Sequence, residues 1–172
     1  MIRWIVLLCA PVAACAPPQA ARCDLTVARD VTFSAAGEDD RISVSAQGPS
    51  CDKTIGVFEV RNADGYPLWS WSAPLAHAFG DVFEADDEEA VQAFLTSWAN
   101  AEITTTQAAP AWAELGQSHF GLDQLTYSDI RARDLPMLCH FSGTARQLCV
   151  FWEPSAGGAG LLFEREIAEV GE

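Results

Sequence analysis

Basic residues are scarce in this chain. Across 172 residues, 10 Lys and Arg stand against 24 Asp and Glu, for a formal charge of −14. A field this negative repels phosphate, which excludes charge-driven binding of nucleic acid. Catalytic signatures are missing too. There is no G-x-S-x-G elbow, no H-E-x-x-H, no phosphate-binding glycine loop and no S-x-x-K. No C-x-x-C occurs, and the three histidines (His77, His119 and His140) are scattered. These gaps leave no metal or cofactor to assign. No internal repeat and no second-domain boundary interrupt the chain.

What is present is apolar and aromatic. Hydrophobic residues make up 49%, with six Trp and nine Phe, which sets the chain apart from a disordered acidic tail. The length suits one domain with a real core.

The first residues read as an address. Arg3 supplies a positive charge, and residues 4–10 form an apolar run too short for a stable transmembrane helix. Val12-Ala13-Ala14-Cys15 follows, small residues leading into a cysteine. This pattern resembles the bacterial lipoprotein processing site, with Val12 where Leu is usual; the resemblance covers only the first fifteen residues. It implies a signal peptide over 1–14, cleavage before Cys15, and acylation of the Cys15 sulfur and new amino group. Several acyl chains give firm membrane anchoring where one is marginal. Ala16, with no Asp at that position, resembles lipoproteins forwarded to the outer membrane, so the expected place is its periplasmic face. The plainer alternative is an ordinary secretory signal cut after an alanine, leaving Cys15 a spare thiol. Residues 15–22 are then anchor and tether, and 23–172 a single disulfide-stapled domain. With Arg3 removed, 9 basic residues face 24 acidic ones, a balance of −15.

Setting aside Cys9 and Cys15, the cysteines left are Cys23, Cys51, Cys139 and Cys149. An even set in an exported domain suggests two disulfides, and four cysteines allow three pairings. Local register favours one. Apolar runs at 137–141 and 147–152 flank a turn candidate, and a three-residue loop at Gly143-Thr144-Ala145 places Cys139 opposite Cys149. Cys23 then pairs with Cys51. Chain-entropy arguments give about 3.6 kcal/mol for the longer loop and about 2.8 kcal/mol for the shorter.

The patterning predicts an α+β or mostly-β fold. Antiparallel sheets, packed as a sandwich or half-barrel, surround one main amphipathic helix near 86–101. Strands are expected at 31–34, 42–46, 54–61 and 66–72, with Ile55, Val57 and Glu59 sharing one face. Asn62-Ala63-Asp64-Gly65 is a strong turn signal. Asp86 is the expected N-cap of the helix, with Glu89 three residues on. Residues 104–109 read as a loop, and Pro110 opens a short turn that Gly116 ends. Strands at 125–130, 138–141, 148–152 and 161–166 complete an expected four-strand meander.

Candidate functional residues follow from charge and aromatics. Glu38, Asp39 and Asp40 form an acidic loop suited to drawing in a cationic partner. Asp86-Asp87-Glu88-Glu89 suits the positive end of its helix, and it lacks the alternating oxygen ligands and glycine of a calcium loop. Trp69 and Trp71, two apart on a strand, share a face that could stack on sugar rings or pack against the Phe94/Trp98 stripe. Ser118-His119 with Asp123 is the sharpest enzymatic arrangement, and adjacency alone does not make a nucleophile and base. The balance falls on a lipid-anchored envelope protein that binds another envelope protein or cell-wall glycan. The alternatives are an inhibitor of a cationic hydrolase such as lysozyme, and an envelope hydrolase.

Overall fold

The computed structural model describes residues 22–34, 39–81, 83–116 and 121–167. Two four-stranded antiparallel sheets form the frame, each a simple meander. The first contains β1 (Cys23–Val31), β2 (Asp40–Gly48), β3 (Ile55–Arg61) and β4 (Pro67–Pro74). Helices α1 (Leu75–Phe79) and α2 (Glu88–Trp98) then lead to the second sheet. That sheet is built from β5 (Glu102–Thr105), β6 (Pro136–Gly143), β7 (Arg146–Glu153) and β8 (Gly158–Glu166). Helix α3 (Gln124–Ala132) is inserted between β5 and β6. The fold is thus a mostly-β, sandwich-like arrangement, as the patterning predicts. Among the described residues, no helix is long and apolar enough to cross a membrane.

Alternation sets the inner face of the first sheet. Ile42, Val44 and Ala46 of β2 are buried, and Arg41 and Gln47 point outward. On β3, Ile55, Val57 and Glu59 do share one face, and it is the outer one. Gly56, Phe58 and Val60 face inward, while Ile55 is 52% exposed. Turning Phe58 inward buries the largest ring of the strand, and Gly56 lets α1 approach. A Cβ on Gly56 would collide with the Leu75 side chain. β1 also differs from expectation. It runs earlier, over Cys23–Val31, and the chain leaves the sheet before Phe33.

The second sheet is buried on both faces, so β7 reads as the apolar run Leu148-Cys149-Val150-Phe151. Leu138, Leu148 and Val150 join the core shared with the first sheet and with Val91, Leu95 and Trp98 of α2. Met137, Cys139, Cys149 and Phe151 face the other way, against Tyr127 and Ile130 of α3. A register shift in the β7–β8 pairing leaves Leu162 as an extra residue, so Leu162 and Phe163 both enter this second core.

Two disulfides join Cys23 to Cys51 and Cys139 to Cys149, with Cα atoms 5.0 Å and 4.1 Å apart. Cys139 and Cys149 are direct partners in the β6–β7 ladder. The turn itself is tighter than expected. Pairing steps from Phe141–Gln147 to Gly143–Arg146, so Ser142 is bulged and only Thr144 and Ala145 close the hairpin.

Three further elements differ from the sequence expectation. Residues 125–130 form part of helix α3, not a strand. The Asp123 carboxylate accepts from the Thr126 N–H at 2.8 Å and from its hydroxyl at 3.0 Å, which fixes a helix start. Tyr127 and Ile130, three apart, are buried, whereas Leu125 is 83% exposed. The fourth strand is instead β5, within the stretch read partly as loop. Finally, α2 is capped by Asp87, whose carboxylate accepts from the Ala90 N–H at 2.9 Å, one residue later than expected.

Candidate functional site

His140 lies where the two sheets meet. Its ring stacks on Phe58, with centroids 4.2 Å apart and planes 14° from parallel. Trp69 and Trp71 flank it at 6.4 Å and 5.9 Å. The Trp69 indole N–H donates to Nε2 of His140 at 3.1 Å. An indole nitrogen can only donate, so Nε2 is the acceptor and Nδ1 carries the hydrogen. Nδ1 then donates to the Phe141 carbonyl at 2.9 Å. The same carbonyl accepts from the Trp98 indole at 2.9 Å. Burial pushes the His140 pKa down to about 4, only partly offset by the bond to Phe141. The imidazole is therefore neutral at physiological pH, with both ring nitrogens satisfied.

This arrangement decides the role of the tryptophan pair. Trp69 and Trp71 do share a face, and it is the inward one. Both are half-buried and packed on the core, with Trp71 edge-on to Trp98 at 5.6 Å and 88°. They join the sheets and do not form an open sugar platform. The packing against Trp98 matches the core alternative weighed for them.

One residue of the acidic loop, Asp40, differs from expectation. Asp40 is fully buried at the start of β2. Its carboxylate accepts from the N–H groups of Phe33 and Ser34 and from the Ser34 hydroxyl. It holds the turn where the chain leaves β1 and is unreachable by a partner. Asp39 is exposed. Glu38 lies outside the described residues, as do Cys15, the signal segment and the Ser118-His119 pair. Asp123 is committed to its helix cap, whose hydrogen bonds with Thr126 hold its pKa below the usual carboxylate range. His77 is exposed on α1. Among the described residues, no group of three His, Cys, Asp or Glu could hold a metal ion.

An aromatic cleft of about 260 Å³ opens between α1, α2 and the β6–β7 turn. Its walls are Phe79, Phe94, Trp98 and Phe141, with Ser97, Gly143 and Thr144 at the edges. Phe79 meets Phe94 edge-on at 4.9 Å, and Phe94 meets Trp98 at 5.4 Å. The Thr144 N–H donates to the Ala78 carbonyl at 3.3 Å, tying the turn to α1. Phe141 is 40% exposed, a large apolar side chain open to water beside other rings. Phe83, in the stretch joining α1 to α2, packs on Phe94 at 5.4 Å. That stretch also carries the exposed acids Asp81, Glu84 and Asp86. Sequence reasoning placed Phe94 on the helix stripe but did not single out Phe79 or Phe141. Their meeting depends on contacts between distant segments.

A second, more polar depression of about 200 Å³ lies beside α3, lined by Gln107, Trp112, Tyr127, Ser128, Arg131 and Ala132. Tyr127 donates to the Pro110 carbonyl at 2.9 Å, and burial raises its pKa. Near the β7–β8 turn, Arg133 makes a bidentate pair with Glu153, at 2.6 Å and 2.8 Å. That pair, with two hydrogen bonds from Ser155, pulls the Glu153 pKa down to about 2. This group clamps the end of α3 to the second sheet and faces neither depression. No known protein family, curated protein or solved structure matches this chain.

Proposed function

We propose that this chain is a lipid-anchored binding module of the cell envelope, held at the periplasmic face of the outer membrane through Cys15. Its contact face, on this reading, is the aromatic cleft, and its occupant is an apolar side chain presented by a cationic envelope protein. One observation carries the reading: Phe141 stands 40% exposed at the rim of a cleft walled by Phe79, Phe94 and Trp98. An aromatic pocket with a polar rim, here Ser97 and Thr144, is a common build of an interface anchor site. The acids between α1 and α2 and the overall −14 favour a basic partner and speed its approach. Inhibition of a cationic hydrolase is the special case in which that partner is an enzyme.

Affinity capture from envelope extract tests the proposal, with the mature domain and its Phe141→Ser variant run side by side at low and high salt. A basic partner retained by the wild type at low salt and weakened at least about tenfold by Phe141→Ser supports the reading. Equal capture by both forms contradicts it.

A further inference from the structure

We propose that the depression beside α3 is a binding site for a monosaccharide bearing a carboxylate. Tyr127 and Arg131 are four apart on α3, so both side chains leave the helix on the same side. The Arg131 Nε donates to the Ala109 carbonyl at 2.8 Å, which fixes the plane of the guanidinium. Its two terminal nitrogens have no hydrogen-bond or ion-pair partner among the described residues. An oriented guanidinium with its outer edge unused fits the two oxygens of a carboxylate.

The remaining walls suit a sugar body better than a bare acid. The Trp112 ring, 5.6 Å from Tyr127, provides an aromatic wall against which sugar C–H groups can pack. The exposed Gln107 and Ser128 have no side-chain hydrogen bond among the described residues, and they supply donors and acceptors for ring hydroxyls. A volume of about 200 Å³ suits a single ring. This site is built on α3, apart from the aromatic cleft, so its failure leaves the protein-partner reading untouched.

The test is an NMR titration of the mature domain that follows the Trp112 indole N–H and the Arg131 Nε–H. N-acetylmuramic acid and glucuronic acid are the carboxylated sugars, and the tighter of the two separates a wall-glycan source from a uronic-acid polysaccharide. N-acetylglucosamine and lactate are the controls, lacking the carboxylate and the sugar ring. The expected result is saturable shifts at both probes with at least one acidic sugar at about millimolar affinity, and about tenfold weaker binding or none with either control. Arg131→Lys keeps the charge and loses the fork, and should weaken binding about tenfold. Because Arg131 also supports Ala109, Gln107→Ala and Ser128→Ala are the companion variants; both are exposed and should each weaken binding about threefold with the fold intact. Equal binding of either control, unchanged affinity in both companion variants, or no shift at Trp112 and Arg131 up to about 50 mM acidic sugar would overturn the proposal.

Discussion

The indole N–H of Trp69, on β4, reaches Nε2 of His140, on β6, across 3.1 Å, so a hydrogen bond links the two sheets directly. The bond requires a neutral imidazole, because a protonated Nε2 would set N–H against N–H. Phe58 stacks on the face of the same ring and holds its plane.

Acid should therefore loosen the domain in two separable steps. The His140 pKa is about 4 in the fold against about 6.5 in the unfolded chain, so below 6.5 the unfolded state binds a proton that the folded state refuses. Stability is full above pH 6.5, falls as pH drops toward 4, and then levels, with a total loss on the order of 3 kcal/mol. Urea unfolding across this range checks it. His140→Phe should flatten the slope between pH 6.5 and 4; an unchanged slope would contradict the assignment.

A second step belongs to Glu153. Its pKa of about 2 lies below the ordinary 4.5, so its contribution is present above pH 4.5 and lost as pH falls toward 2. Glu153→Gln should lower Tm at neutral pH and reduce the pH dependence in that lower window, where the capped Asp123 keeps its own share, leaving the His140 window unchanged. Thermal melts of the two proteins at pH 7, 4 and 2.5 would read the difference.

Asp39 and Asp40 should behave as opposites although they are neighbours. Asp40→Ala strands the buried N–H groups of Phe33 and Ser34 and should cost about 2–4 kcal/mol. Asp39→Asn changes an exposed side chain and should stay within about 0.5 kcal/mol. Chemical denaturation of the two variants measures both; equal effects would refute the burial argument.

The proposed anchoring through Cys15 is tested apart from the fold. Intact-mass analysis of the membrane fraction should show an acylated N-terminal Cys15, and Cys15→Ser should release the protein from the membrane. An unmodified Cys15 in the mature chain would leave only the secretory-signal alternative.

The sequence was readable where local pattern and burial agree. The alternation in β2, the Asn62–Gly65 turn and the opposition of Cys139 and Cys149 each depend on residues close in the chain. It misled where a local pattern had two solutions. Leu125, Tyr127 and the residues after them can alternate as a strand, and only the Asp123 cap decides for helix. The shared face of Ile55, Val57 and Glu59 was legible, but which side of β3 turns inward was not, because nothing nearby announces that Gly56 must admit Leu75. Asp40 resembled its exposed neighbour Asp39, and only the return of Phe33 and Ser34 toward it reveals a structural carboxylate. The aromatic cleft draws on segments from Phe79 to Thr144, so no window of sequence contains it.

Hydrogen exchange of the mature domain, free and bound to its captured basic partner, tests the proposed contact face most directly. Burial of the cleft predicts slowed exchange at the amides of Phe94–Trp98 and Phe141–Thr144, with little change around Asp39 and Arg41. Protection confined to the Asp39–Arg41 end of the first sheet, with the cleft exchanging as in the free protein, would contradict it.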